Sequence, residues 1–340
     1  MDQHKKVVFL GGGTGTAHTL SGLQDKPLAI TAVVCTTDNG GYSGKQREAF
    51  GGIGYPLPAL GDLRQVMTAL AGDKREAEMW NLRTELGCCH GNNILAFFQR
   101  SRGSLIKAIE ASREVLAIRP EHLVLPAAEE NADIGARYQD GTDTVGEFAI
   151  IKRNDPDGMK ELFLQPAVKA PAKVLEEIET ADFLVIGPGS LRTSLVAVLL
   201  SGGIKEAIAK SKAPLICPVN LLSQKGQTTN WDARRHLEEI NRYAGRPIDI
   251  AVVNNRSVPP EVLEFYTHDS GYRPHPIEEG DISSLVGTVI REDLIPDLAE
   301  ILADTKARER SGPVDKTKHL LIHSEKLAII LFGIFTGFYR

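Results

Sequence analysis

Two short runs of this chain have the residue types needed to hold an anion, and a third has those for a ribose or a cation. Gly11-Gly12-Gly13-Thr14-Gly15 places four glycines in five positions. Backbone without Cβ atoms can bring its N–H groups against a phosphate, and a following helix favours the same charge through its dipole. A tight turn with no ligand is the plain alternative, but four glycines exceed what a turn requires. Gly187-Pro188-Gly189-Ser190 is a second run of this kind. Asp38-Asn39-Gly40-Gly41 is the third, 23 residues beyond Gly15. An Asp at that distance binds ribose hydroxyls in a dinucleotide fold, holds a divalent cation that bridges phosphates, or merely forms an Asx-turn.

Around these runs lie side chains that would complete such a site. Ser43, Lys45 and Arg47 follow Asp38 closely, and Arg64 stands two residues after Asp62 in Gly61-Asp62-Leu63-Arg64. The arginines and Lys45 are candidates to neutralise phosphate charge. Asp62 is either a cation ligand or the N-cap of the apolar segment behind it. Asp38 and Asp62 are thus the candidate magnesium ligands and the only candidates for a catalytic role. Gly91-Asn92 opens another apolar helix, with His90 read as a partly buried loop histidine. Asn220, Ser223, Gln224 and Gln227 offer amides and hydroxyls without charge, which suit a base or sugar. The glycine run departs from G-x-G-x-x-G at Thr16 and lacks G-K-[ST], so it is no P-loop. With no Ser/His/Asp constellation, zinc motif or glycosidase pair, any catalysis would be transfer at a phosphate by positioning and electrostatics.

The elements that must position these loops are legible as apolar runs. Val7 to Leu10, Ile30 to Cys35, Phe183 to Ile186, Pro214 to Pro218 and Ile248 to Val253 read as buried strands. Each empties into a loop rich in Gly, Asn, Asp or Ser, and helices are expected near Ala17 to Leu23 and from Leu195. The predicted fold is a single doubly wound α/β domain over 1–340 with a mostly parallel sheet, Rossmann-like in outline. Segment 123–170 alternates apolar runs with turn signals and is expected to be a small β-rich excursion. The charged stretch 304–318 is expected to be a mobile loop.

Composition bounds the partners. The chain has 340 residues, 42% hydrophobic and 24% charged, with net charge −5. That balance is ordinary for a globular protein and argues against a nucleic-acid partner. The four cysteines have no C-x-x-C spacing and read as buried small hydrophobes. No secretory signal is apparent, and the apolar run near the C-terminus is too short to span a membrane. A cytoplasmic location, no membrane partner and a homodimer are expected.

Taken together, the loops resemble the 2-phospho-L-lactate transferase (CofD-like) family, which includes the gluconeogenesis factors. The residues that carry the likeness are the Gly11–Gly15 run, Ile30 to Val34, Asp38-Asn39-Gly40-Gly41 with Ser43-Gly44, Gly61 to Arg64 and Gly91-Asn92. Further along come Leu125-Pro126-Ala127 with Asn131, Ile186 to Leu191, Asn220-Leu221 and Val252 to Asn255. The resemblance implies either a magnesium-dependent transfer of phospholactyl from a guanylylated donor to a deazaflavin alcohol, or a UDP-sugar-binding regulator of carbon use and cell-wall synthesis. The stretch from Pro214 to Asn255 and Pro260 to Tyr266 is closer to the second. On that branch Tyr266 matches a tyrosine of the sugar-nucleotide site, and Asn254 lies among the binding residues. Several positions depart from the family pattern: Asn39 replaces one of two paired acids, Tyr42 a serine and Arg192 a tyrosine. Leu321 and His323 fall where an arginine and an aspartate are usual. The resemblance therefore implies weakened UDP-sugar binding, unless Arg291 or Arg273 substitutes.

Overall fold

A strand that is apolar at every position must bury both faces, and the first apolar run does so. The computed structural model describes residues 4–84, 87–270, 272–309 and 324–339. Among them are ten strands: β1 (Lys5–Gly11), β2 (Leu28–Val34), β3 (Leu123–Pro126), β4 (Asp133–Tyr138), β5 (Asp143–Val145), β6 (Met159–Gln165), β7 (Phe183–Ile186), β8 (Leu215–Pro218), β9 (Ile248–Asn254) and β10 (Val286–Glu292). Val7 and Phe9 of β1 pack into one apolar core, and Val8 and Leu10 into another on the opposite face. This two-residue alternation is the pleat, and helices covering both faces make each half of it apolar.

Seven strands form the main sheet in the order β10-β9-β8-β7-β1-β2-β3. Every neighbouring pair in it is parallel. From β1 the chain first winds outward to β2 and β3, then returns to β7 and winds the other way. The direction reverses between β1 and β7, where the two outgoing connections diverge and leave a crevice at the carboxyl ends. Leu10 pairs with Ile186 there, so the first glycine loop and the Gly187 loop leave the sheet at the same level. The doubly wound architecture expected from the apolar runs is thus the one observed.

The smaller antiparallel sheet has the order β5-β4-β6, with a short helix, Glu147–Arg153, between β5 and β6. Its start differs from the expectation. Leu123–Pro126 pairs with β2 and forms the edge of the main sheet, so the excursion begins only at β4. A run of four apolar residues does not reveal which sheet it joins. The charged stretch also differs: helix Leu298–Glu309 extends through positions 304–309, while 310–318, Leu321 and His323 lie outside the described residues. The last helix, Ser324–Phe335, carries the C-terminal apolar run into the core, where Phe335 meets Phe9 edge-on. No helix among the described residues is long and apolar enough to cross a membrane.

Helix Ala233–Ala244 backs the second face and carries His236, which is fully buried with neither ring nitrogen hydrogen-bonded. Burial disfavours the charged ring and pushes its pKa down to about 4. The unfolded chain, near the usual value of about 6.5, therefore takes up the proton first. Stability is complete above that value and falls as pH drops towards the folded value, by about 3 kcal/mol in all. Urea unfolding of wild type and His236→Met at neutral and acidic pH checks this: the wild type should lose this increment and the variant should not.

Candidate functional site

The crevice between β1 and β7 opens into a cleft of about 470 Å³, counting the space continuous with solvent. One wall is the glycine loop, with Gly12, Gly13, Thr14 and Gly15; another is Gly189, Ser190, Thr193 and Ser194 after β7. Asp38, Asp62 and Glu147 close it with three carboxylates.

The first wall is the start of a helix. Helix Thr14–Ser21 begins three residues earlier than the sequence suggested, with no side-chain cap and no acidic residue in its first turn. Its leading N–H groups have no acceptor within the helix, and Gly13, Thr14 and Gly15 line the cleft. Gly13 has φ −78°, which any residue tolerates; space is what demands glycine. A Cβ on Gly13 would lie 2.4 Å from Asp62 Oδ1 and 2.7 Å from its Cα, and one on Gly12 would lie 2.7 Å from Ser194 Oγ. The glycines thus serve both readings at once, admitting close packing and baring the backbone. Gly11 ends β1, where a Cβ would strike Thr16 Oγ1.

The second wall works differently from the cradle anticipated for it. Residues Leu191–Val196 form a π-helical turn. The N–H groups of Arg192 and Thr193 both donate to Gln227 Oε1, at 3.1 and 3.2 Å. Gln227 therefore occupies the place an anion would take at that helix start, and this wall offers hydroxyls instead. Asn220 Nδ2 donates to the Gly189 carbonyl and Gln224 Nε2 to Ser190 Oγ, bracing the loop from behind. The carbonyl oxygens of both amides are buried without a partner. Pro188 stands in the same loop, outside the cleft lining.

Asp38 makes the Asx-turn that was its plain reading, accepting from the Gly40 N–H at 2.8 Å, and it also lines the cleft. Asn39 faces away from it. Its Nδ2 donates to Asp133 at 3.2 Å and its Oδ1 accepts from the Phe148 N–H at 3.2 Å. Helix Glu147–Arg153 starts at Gly146, which has no side chain to cap it, so Asn39 caps it from another element. A carboxylate at position 39 would meet Asp133; the amide both donates and accepts. Through this cap the loop after β2 fixes Glu147 in the cleft.

The predicted cations do not reach the cleft. Arg47 is buried, and its guanidinium is fully engaged by Asn131, Asp133, the Asp38 carbonyl and the Ala132 carbonyl. Arg64 is also buried, donating to Asn92 at 3.0 Å and to Asn81, and burial draws its pKa down. Lys45 is exposed on helix Gly41–Gly52, away from the lining, and Gly41 and Ser43 belong to the same helix. Arg47 braces the segment before β4 against the loop after β2, and Arg64 ties helix Gly61–Ala69 to its two neighbouring helices. Asn254 bonds the Arg256 carbonyl and the Leu294 N–H, and Tyr266 is buried in the core against Phe265; neither lines the cleft. Arg291 is held by both oxygens of Glu279, and Arg273 is exposed. His90 heads helix His90–Arg102 and is exposed, not half-buried. All four cysteines are buried, and burial pushes Cys35 and Cys217 up to about 12, so these thiols are inert.

Glu147, Thr193 and Ser194 were missed from the sequence. The last two follow Ser190 by three and four positions, one helical turn, which is a usable signal. Glu147 has none, because tertiary docking alone brings it in. Among the described residues, three carboxylates and no lysine or arginine line the cleft. Among the described residues no three His, Cys, Asp or Glu side chains sit close enough to hold a metal unaided. Magnesium, bound commonly by one or two carboxylates plus substrate phosphates, fits such a donor set.

The reversal point, the bared helix start and the acidic loops together define a doubly wound α/β protein with its cleft at the switch in strand order. The chain belongs to the CofD family: the model described as 2-phospho-L-lactate transferase CofD matches residues 7–295. It is 36% identical over 332 residues to a putative gluconeogenesis factor of Thermotoga maritima, covering 96% of this chain and 98% of that one. To the gluconeogenesis factor of Bacillus subtilis it is 31% identical over 326 residues, 94% and 100% of the two chains. The crystal structure of a UPF0052 family member from Bacillus halodurans superposes with a TM-score of 0.83 at 30% identity, covering 97% and 99%.

The packing at the glycine loop yields a stability test. Gly13→Ala should cost about 1–3 kcal/mol, because the Asp62 backbone has to shift. Gly51→Ala, with open space around its Cβ in helix Gly41–Gly52, should add up to about 1 kcal/mol. Denaturant midpoints of the two variants read both effects, and equal midpoints would contradict the close-packing account.

Proposed function

We propose that this chain binds a nucleotide or nucleotide-sugar together with magnesium, and that it serves as a gluconeogenesis factor, a regulator of carbon use and cell-wall synthesis in the cytoplasm. The observation that carries the reading is the helix start at Gly13, without a side-chain cap of its own, with Asp62 packed against it and Asp38 lining the same cleft at the β1/β7 crevice. The helix start supplies N–H donors for a phosphate. Three carboxylates line the same cleft, and a divalent ion would offset their repulsion of that phosphate. Asp38 and Asp62 would hold the ion, which would screen the phosphate charge. The hydroxyls of Ser190, Thr193 and Ser194 suit the sugar or pyrophosphate oxygens on the other wall.

The second reading is the transferase, favoured by the name of the matching family model and by the carboxylates that line the cleft. In that case the same groups orient the donor phosphate towards an alcohol acceptor, and catalysis rests on positioning and charge. Turnover separates the two: only a transferase consumes a deazaflavin alcohol when given the guanylylated donor.

Ligand class is checked by thermal unfolding with UDP, GDP and UDP-sugars. A true ligand at a hundredfold over Kd should stabilise by about 2.7 kcal/mol in the presence of magnesium and far less with a chelator. Asp38→Asn keeps the Asx-turn, so it should leave unfolding unchanged while weakening the magnesium-dependent binding by about 1–3 kcal/mol. A flat response to every nucleotide with magnesium present would sink the reading. Because Leu321 replaces an arginine, UDP-N-acetylglucosamine should bind about tenfold to a hundredfold more weakly than it would with that charge. Calorimetry on Leu321→Arg should recover this affinity.

A further inference from the structure

Behind the second wall lies a buried cation that the binding site itself does not use. Arg192, second residue of the π-helical turn, is 3% exposed. Its Nε donates to Glu239 at 3.2 Å and its Nη1 to the Pro156 carbonyl at 2.7 Å. Its guanidinium lies 4.5 Å from the centre of the Trp231 ring, and that of Arg235 lies 4.4 Å from the same ring. Asp157 closes the cluster by accepting from Trp231 Nε1 and from Arg235. A charge placed this deep requires full pairing, and every one of these partners belongs to a different element from the π-turn.

The partners show what the cluster joins. Pro156 and Asp157 sit in the turn that follows helix Glu147–Arg153, the helix that carries Glu147. The residues next to Arg192 on its other side are Thr193 and Ser194, which face the cleft. A second link runs in parallel. Gln227 caps the π-turn, and its neighbour Gly226, at φ +73°, is so close to helix Glu147–Arg153 that a Cβ would lie 2.6 Å from the Ile151 carbonyl. The Thr193–Ser194 wall and the helix that brings in Glu147 are thus tied at the back by the Arg192 guanidinium and by the Gly226-Gln227 segment.

We propose that Arg192 is a positioning residue that sets the spacing between the Thr193–Ser194 wall and the Glu147 wall, with Trp231 as the side chain that senses it. A π-turn inserts an extra residue into a helix and is a common device for aiming side chains at a site. Here it turns Arg192 to the rear while Thr193 and Ser194 line the cleft, with the Thr193 hydroxyl held by Gln227 Oε1 at 3.4 Å. Movement of either wall must slide the guanidinium over the indole or stretch its bond to Pro156. The link to ligand binding rests on the nucleotide reading above; the link between the walls does not.

The test uses the full chain with Trp80→Phe, which leaves Trp231 as the sole tryptophan of the two. Because Arg192→Met alone strands Glu239, the working variant is Arg192→Met with Glu239→Gln, compared with Arg192→Lys. Without ligand, amide exchange over 147–158 should quicken about tenfold in the double variant while β1 stays protected. Titration with magnesium and UDP should change Trp231 emission in the parent, and affinity should fall about tenfold in the double variant. Arg192→Lys keeps one charged contact, so it should restore the melting temperature but neither the exchange protection nor the affinity. Unchanged exchange over 147–158 in the double variant, or full recovery of all three properties with lysine, would overturn the proposal. If the parent binds no UDP, the nucleotide reading fails, while quickened exchange would still support the coupling of the walls.

Discussion

Everything at the cleft depends on Gly12 and Gly13 having no side chain. Asp62 and Ser194 come so close to these two positions that a single methyl group on either would displace one of them. Helix Gly61–Ala69 and the π-turn can therefore pack directly on the loop after β1. The same closeness brings Asp62 alongside N–H groups that have no acceptor in their own helix. Close packing and a bared backbone come from one omission of atoms, and they cannot be varied separately.

Charge is distributed in a way that composition does not suggest. Arg47, Arg64 and Arg192 are all buried and hydrogen-bonded to neighbouring segments: Arg47 to residues 131–133, Arg64 to Asn81 and Asn92 on two helices, and Arg192 to Glu239 and the Pro156 carbonyl. A guanidinium offers five N–H donors in a rigid plane, so one side chain can hold several strands of irregular backbone together. Asp38, Asp62 and Glu147 instead line the cleft. Cations thus serve the packing behind the site, while its lining carries carboxylates.

Five of the seven parallel strands were legible from their apolar runs, a pattern suited to a sheet covered on both faces, while β10 was not, because Gly287, Thr288, Arg291 and Glu292 interrupt its apolar residues. Glycine loops and their spacing pointed correctly to the crevice, since Gly12 to Gly15, Asp38, Asp62, Gly189 and Ser190 all line it. Side-chain direction was not legible. Lys45 and Arg47 are two positions apart, yet one is exposed and the other buried, because only Arg47 finds Asp133 on a strand 86 residues further along. Glu147 could not be found from its neighbours, for its place is decided by Asn39 on a distant loop. The split of Leu123–Pro126 from the excursion was equally hidden, as strand pairing is a choice of partner and leaves no mark on a four-residue run.

The pairing of β1 with β7 also bears on how the chain is made. Val7 lies beside Phe183, 176 positions later, while β1 and β2 are neighbours in both sequence and space. A growing polypeptide can assemble its first β-helix-β unit early, but β1 then waits with one edge unpaired until β7 has left the ribosome. An open edge of apolar residues is where chains pair wrongly. The long interval between these two strands makes this stage of synthesis the one most exposed to aggregation, and it is where a chaperone would do the most good.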